Sequence, residues 1–334
     1  MNLLRRCSLA GVAAVCLWSG GGAAAGGETF SYDDVLNPKT VSRIECEAEP
    51  DRVWVETRWQ QFGMFGRRFE QTAQGCIRYF PSGRAKRAAT ALLFLHGDVY
   101  SGSDVSQQRM NYQKAASNGS QVALSERASG MIGLPVIRIG RPGAYGSTGM
   151  SHVKERRMPI EAHLINAAID AIKTRFGYRR LLLAGQSGGG GLAGAALTLG
   201  RTDLDCVVIA SGAVSVKTRA RLLDPQRWQK GFDQTGQLLA EVYDPIDHID
   251  GVKKDHNRRI FILADPRDKK VGFASQKEFH EKLVAAGIPA TLLIAEAADG
   301  MHHELVMQAQ QVAGWCKTGF SDAEIQSRLN SRVP

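Results

Sequence analysis

The stretch Leu181-Leu-Leu-Ala-Gly185-Gln-Ser187-Gly-Gly189 constrains this chain more than any other. Its apolar residues follow the pair Arg179–Arg180 and read as a short buried strand. The strand runs unbroken into Gly-x-Ser-x-Gly and then a small-residue run from Gly190 to Ala196. A strand, a tight turn at a serine and a helix make the context of a nucleophile elbow. A serine on such a turn is strained, so its neighbours must lack side chains that would strike the incoming strand or the outgoing helix. The helix N-terminus behind Ser187 offers free N–H groups and the positive end of a dipole, both useful where an oxyanion develops.

Around this stretch the pattern alternates. Arg52 to Trp59 and Phe69 to Phe80 read as half-buried strands and predict an antiparallel opening. Continuous apolar runs predict covered strands at Thr90–Leu95, Leu134–Ile139, Leu204–Ala210, Arg259–Ala264 and Ala290–Ala295. Helices are expected from about Val105 to Ser117, Pro159 to Phe176, Ala274 to Ala286 and Glu304 to Lys317. The class is therefore α/β, a mostly parallel twisted sheet with helices on both faces. Active residues of such sheets gather at the C-terminal strand ends, where His96, Arg141, Ser187, Ser211, Asp265, Asp268 and the pair His302–His303 fall. From about Ser211 to Arg258 no strand is legible, and so long a connection is expected to be a lid or binding insertion.

Arg5–Arg6, an apolar run from Leu9 to Trp18 and Ala23-Ala-Ala25 predict a signal peptide over residues 1–25, cleaved after Ala25. The remainder, residues 26–334, is expected to form a single periplasmic or secreted domain with no membrane insertion. The net charge of +9 comes from basic residues scattered among acids without interleaved aromatics, so no nucleic-acid partner is expected. Cys46, Cys76, Cys206 and Cys316 lie beyond the signal segment, and no C-x-x-C occurs to suggest a metal or redox site. Cys46 and Cys76 share the N-terminal strand region and are expected to pair.

Leu95-His96-Gly97-Asp98, the elbow, Asp265-Pro-Arg-Asp268-Lys-Lys-Val271 and Met301-His302-His303-Glu-Leu305 follow one another in an order that resembles the α/β-hydrolase fold, from about Val53 to Lys317. Asp244-Pro-Ile-Asp-His-Ile249, Ile260-Phe-Ile-Leu and the Asp268-x-x-Val spacing are similar to the prolyl-oligopeptidase and dienelactone-hydrolase branch. The resemblance implies Ser187 as nucleophile, Asp268 as the acid that orients the base, and His303 as that base, with His302 the alternative. Asp265 is then a turn residue. The backbone N–H groups of Gly188 and Asp98 would form the oxyanion hole, and His96 would be a structural residue of its loop. Arg141-Pro-Gly143, with Tyr145 and Ser147, faces the site as a glycine-rich turn or as a substrate contact. The same topology puts Cys206, at the start of its strand, near Cys316, at the end of a helix running back from the histidines. Together these imply an exported serine hydrolase that cleaves small carboxylic esters through an acyl-enzyme, without metal or organic cofactor. The alternatives are a serine peptidase acting on short peptides and a non-catalytic binding protein on the same scaffold. The chain departs from the oligopeptidases in having no recognisable β-propeller, which counts against peptides.

Overall fold

Eight strands hydrogen-bond side by side in the order β1-β2-β6-β3-β7-β8-β9-β10. The computed structural model describes residues 41–62, 68–101, 109–110, 117–148 and 156–331. In chain order the strands of this sheet are β1 (Arg52–Phe62), β2 (Arg68–Pro81), β3 (Thr90–Leu95), β6 (Val136–Ile139), β7 (Arg180–Gln186), β8 (Leu204–Ala210), β9 (Arg259–Ala264) and β10 (Thr291–Ile294). A separate antiparallel pair joins β4 (Tyr100–Ser101) to β5 (Arg109–Met110). The first two strands are antiparallel and β2 meets β6 antiparallel, whereas every pairing from β6 to β10 is parallel. The antiparallel opening and the parallel remainder are those expected from the alternating and continuous apolar patterns.

Each central strand is apolar on both sides because helices cover both faces. Leu93, Leu95, Leu181, Leu183, Val207, Ile209, Ile260 and Ile262 point to one face. There α3 (Pro159–Phe176), α4 (Gly188–Thr198) and α7 (Phe273–Ala285) cover them. Leu92, Phe94, Leu182, Ala184, Val208, Phe261 and Leu263 face the other way, against α8 (Val306–Lys317) and α9 (Asp322–Asn330). A period-two alternation thus feeds two separate cores. None of the helices among the described residues is long and apolar enough to cross a membrane.

Two expectations change. The helix expected from about Val105 to Ser117 lies largely outside the described residues, but Arg109–Met110 is strand. The helix of this region is α2 (Asn118–Ile132), which begins where the other was expected to end, because the Ser117 hydroxyl accepts from Ser120 N–H and caps it. Beyond Lys317, where the recognisable fold was expected to end, α9 follows, and before β1 comes the short α1 (Arg43–Ala48). The signal segment and its cleavage site lie outside the described residues. The insertion after β8 contains no strand of the sheet, only α5 (Val216–Leu223), α6 (Pro225–Gln229), 3-10 turns and one isolated bridge.

Both expected cysteine pairs are joined, Cys46–Cys76 with Cα atoms 5.7 Å apart and Cys206–Cys316 with Cα atoms 6.5 Å apart. Because α8 packs directly on β7 and β8, no strand intervenes between Cys206 and Cys316. Such bonds suit an oxidising, extracellular compartment.

Candidate active site

Ser187 sits between β7 and α4 with φ 58° and ψ −121°, the left-handed side of conformational space that few non-glycine residues occupy. Its backbone is held from three sides: its N–H donates to Ala210 O at 2.9 Å, and its carbonyl accepts from Gly191 N at 3.0 Å and Ala213 N at 3.2 Å. The flanking glycines are required by space. A methyl at Gly185 would overlap the carbonyl of Gly189, and one at Gly189 would overlap the carbonyl of Leu95. The first-turn N–H groups of α4, Gly188 among them, have no intrahelical partner.

The loop after β3 passes alongside. A methyl on Gly97 would stand 2.8 Å from Gln186 Oε1 and 3.2 Å from Ser187 Cβ, and one on Gly188 would run into the Asp98 carboxylate. The structure therefore brings Asp98 and Gly188 together beside Ser187. His96 donates from Nδ1 to Gly97 O at 2.6 Å and accepts the Arg141 amide at Nε2, 3.3 Å away. Burial and the neighbouring Arg141 charge hold its imidazole well below the usual histidine range. A neutral ring bonded at both nitrogens braces the loop, as a structural residue would.

His303 and Asp268 meet from the loops after β10 and β9. His303 Nδ1 lies 3.1 and 3.0 Å from the two Asp268 oxygens. Asp268 also accepts from Lys270 N (2.8 Å), Val271 N (3.0 Å) and Gln276 Nε2 (3.2 Å). Burial pushes its carboxyl up, but the His303 hydrogen bond and charge and the two amides outweigh burial and leave it below its ordinary value. With Nδ1 donating to the acid, Nε2 of His303 is left as the basic nitrogen. His303 and Ser187 line one cavity of about 640 Å³. No hydrogen bond joins Ser187 Oγ to His303 among the described residues, and in enzymes without substrate this contact often closes only in the complex.

The two adjacent histidines diverge for a backbone reason. His302 takes φ 53°, and the turn lies around Asp299, whose carboxylate accepts from Met301 N (3.2 Å), His303 N (2.7 Å) and Glu304 N (2.7 Å). His303 thereby reaches Asp268, while His302 Nδ1 stands 3.7 Å from Asp265 and does not line the cavity. Asp265 accepts from Arg267 N at 2.9 Å and Ala297 N at 2.9 Å, tying two loops as a turn residue. Gln186, the residue before the serine, donates from Nε2 to His303 O at 3.0 Å. Asp299 and Gln186 were not singled out from sequence; both position His303 through its backbone.

Arg141 does not face the cavity. It is fully buried, donating Nη1 to Asp98 Oδ1 and Nε to Glu161 Oε1, each at 2.8 Å. Ser147 is a turn brace that receives Arg78 N at 3.0 Å and donates to Gly140 O at 3.0 Å, and Tyr145 packs edge-on against His96. Arg157 continues the network, donating to Asp98 Oδ2 at 3.0 Å and to Asp233 Oδ2, in the insertion, at 2.7 Å. Burial pulls the Arg157 guanidinium down, yet Asp98 and Asp233 more than offset it and raise it above its ordinary value. The described residues contain no group of three or more His, Cys, Asp or Glu able to hold a metal.

Residues 162–318 match the model of the prolyl oligopeptidase family. Comparison with curated protein sequences gave no match. Among solved structures, a puromycin-hydrolyzing peptidase of Mycobacterium tuberculosis is 19% identical, with TM-score 0.47, over 80% of this chain and 38% of its own. The acylaminoacyl peptidase of Pyrococcus horikoshii is 13% identical, with TM-score 0.46, over 90% of this chain and 44% of its own. Est1E of Butyrivibrio proteoclasticus, solved with ferulic acid, is 15% identical, with TM-score 0.50, over 71% of this chain and 94% of its own. The chain thus spans less than half the length of the two peptidases and nearly the whole of Est1E.

Proposed function

From a chain with the α/β-hydrolase fold, whose residues 162–318 match the prolyl oligopeptidase family, we propose an exported serine hydrolase that cleaves carboxylic esters. The observation that carries this reading is the convergence of a strained Ser187 and a hydrogen-bonded His303–Asp268 pair on one cavity. Ser187 Oγ adds to the ester carbonyl as its proton passes to His303 Nε2. The oxyanion faces the N–H groups of Gly188 and Asp98, and Asp268 holds the imidazolium in place. The proton then leaves with the alcohol, and water removes the acyl group by the reverse route. Neither step calls on a metal or an organic cofactor.

Ester over peptide is supported by Est1E, solved with ferulic acid, nearly all of whose length matches 71% of this chain. The family match favours the second reading, a serine peptidase acting on short peptides. A fluorophosphonate probe should label Ser187, and 4-nitrophenyl acyl esters should turn over faster than peptide anilides. Faster anilide cleavage would transfer the assignment to the peptidase, and absence of labelling would leave a binding protein on this scaffold. Export is supported by the two disulfides and by the N-terminal sequence pattern, and is tested by sequencing the mature N-terminus.

A further inference from the structure

The cavity beside Ser187 holds a cation that forms no ion pair among the described residues. Arg219, on α5, is 8% exposed and lines the cavity with Ser187 and His303. The three carboxylates of the neighbouring network are already engaged: Asp98 by Arg141 and Arg157, Glu161 by Arg141, and Asp233 by Arg157. Arg219 forms no ion pair among the described residues. Only neutral oxygens hold it: its Nε donates to Lys270 O at 2.8 Å. The Gln234 carboxamide, with its oxygen turned to the guanidinium, accepts from Nη1 at 2.5 Å and Nη2 at 2.6 Å. Burial and the Arg157 charge pull the guanidinium down to about 10, against the more distant attraction of Tyr100, Asp233 and Asp98, so it remains a cation at neutral pH.

The rest of the wall carries charges of both signs. Lys269 and Lys270 line the cavity, and of its other acids Asp224 caps α6 and pairs with Arg227 while Glu304 is exposed. Burying a charge without a counter-ion is costly, and a fold that keeps one in a ligand cavity gains when the ligand brings the opposite charge. The planar fork of a guanidinium matches a carboxylate.

We propose that Arg219 anchors a free carboxylate on the substrate, so that the compound cleaved at Ser187 carries a second acid group that is not esterified. This rests on the serine-hydrolase reading above. Two pairs of substrates separate the sources of that carboxylate. On the acyl side, 4-nitrophenyl hydrogen glutarate is compared with 4-nitrophenyl butyrate. On the alcohol side, 4-acetoxybenzoate is compared with its methyl ester. For the wild type, kcat/KM in one pair should favour the charged member by about 10-fold or more at low salt. The ratio should fall to about 1 in Arg219→Met and be partly kept in Arg219→Lys. Glutarate should competitively inhibit hydrolysis of the neutral ester by the wild type. If Arg219→Met does not fold, the Arg219→Lys ratio and glutarate inhibition decide. No preference for either charged ester, or a preference that survives Arg219→Met, overturns the carboxylate anchor while leaving the hydrolase intact. A wild type that neither labels with fluorophosphonate nor cleaves any ester overturns both.

Discussion

Ser187 and His303 line one cavity, Asp268 stands behind His303, and each can be removed separately. Ser187→Ala should abolish fluorophosphonate labelling and lower kcat by about 10,000-fold or more. Asp268→Asn, which leaves the imidazole in the wrong tautomer, should cost a similar factor, about 10,000-fold, while the fold persists in circular dichroism. The paired histidines provide a sharper contrast. His303→Gln should lose activity as Ser187→Ala does, whereas His302→Gln should keep more than about a tenth of it, since His302 does not line the cavity. Equal losses at both positions would return the choice of base to open competition. Asp299→Ala should reduce kcat by roughly 10-fold or more with KM little changed, because it frees the backbone that aims His303 without touching the binding wall. Asp299→Asn, which retains one acceptor oxygen, should recover most of that loss.

The strands and the long helix α3 were legible because their apolar residues repeat with period two or with helical spacing. Helix α2 was not, since it buries Gln121, Ser125 and Ser129 beside Ala128, and a polar inner face erases the periodic signal. Its Ser117 cap, and the capping boxes Ser42–Glu45 and Ser321–Glu324 that open α1 and α9, were the available clues. Ser187, Asp268 and His303 could be singled out as candidates from the sequence because each lies at a strand end in a recognisable order. Asp299, Gln186 and the Arg157–Asp233 tie could not, because which loop acid meets which backbone amide or distant arginine is settled only by packing. Asp244 belongs to the same class: its two oxygens accept Val216 N at 2.9 Å and Lys217 N at 3.0 Å, capping the helix that carries Arg219. Burial pushes its carboxyl up to about 6, against the lowering effect of those amides. A carboxyl raised in the folded state binds its proton more tightly there than in the unfolded chain. Its contribution to stability is therefore present at low pH and lost as pH rises from about 4 to about 6. Denaturant titrations across that window should show the loss, and Asp244→Asn should flatten it; an unchanged slope would exclude Asp244 as its source.

On the scale of the whole molecule, the insertion after β8 is fastened to the sheet by buried charge. Arg157 bridges Asp98, in the loop beside Ser187, to Asp233 in the insertion, and Gln237 Nε2 donates to Arg156 O at 2.6 Å. Arg157→Met leaves the buried Asp233 and the part-buried Asp98 short of a partner and should destabilise by about 3–5 kcal/mol in denaturant unfolding. A cost within experimental error would mean that water reaches the network. The disulfides act over different spans, with sequence separations of 30 for Cys46–Cys76 and 110 for Cys206–Cys316. By loop-closure entropy the longer one should contribute about 1 kcal/mol more, measurable by comparing the two paired Cys→Ala variants. Cys206 belongs to the strand that leads into the insertion, and Cys316 to the helix that begins just after His303. A single covalent bond thus joins the start of that strand to the last turn of that helix. Oxidant supply becomes a maturation step: polypeptide made in a reducing cytosol has every amino acid of the protein, yet this strand and this helix meet without their tie until the thiols are closed.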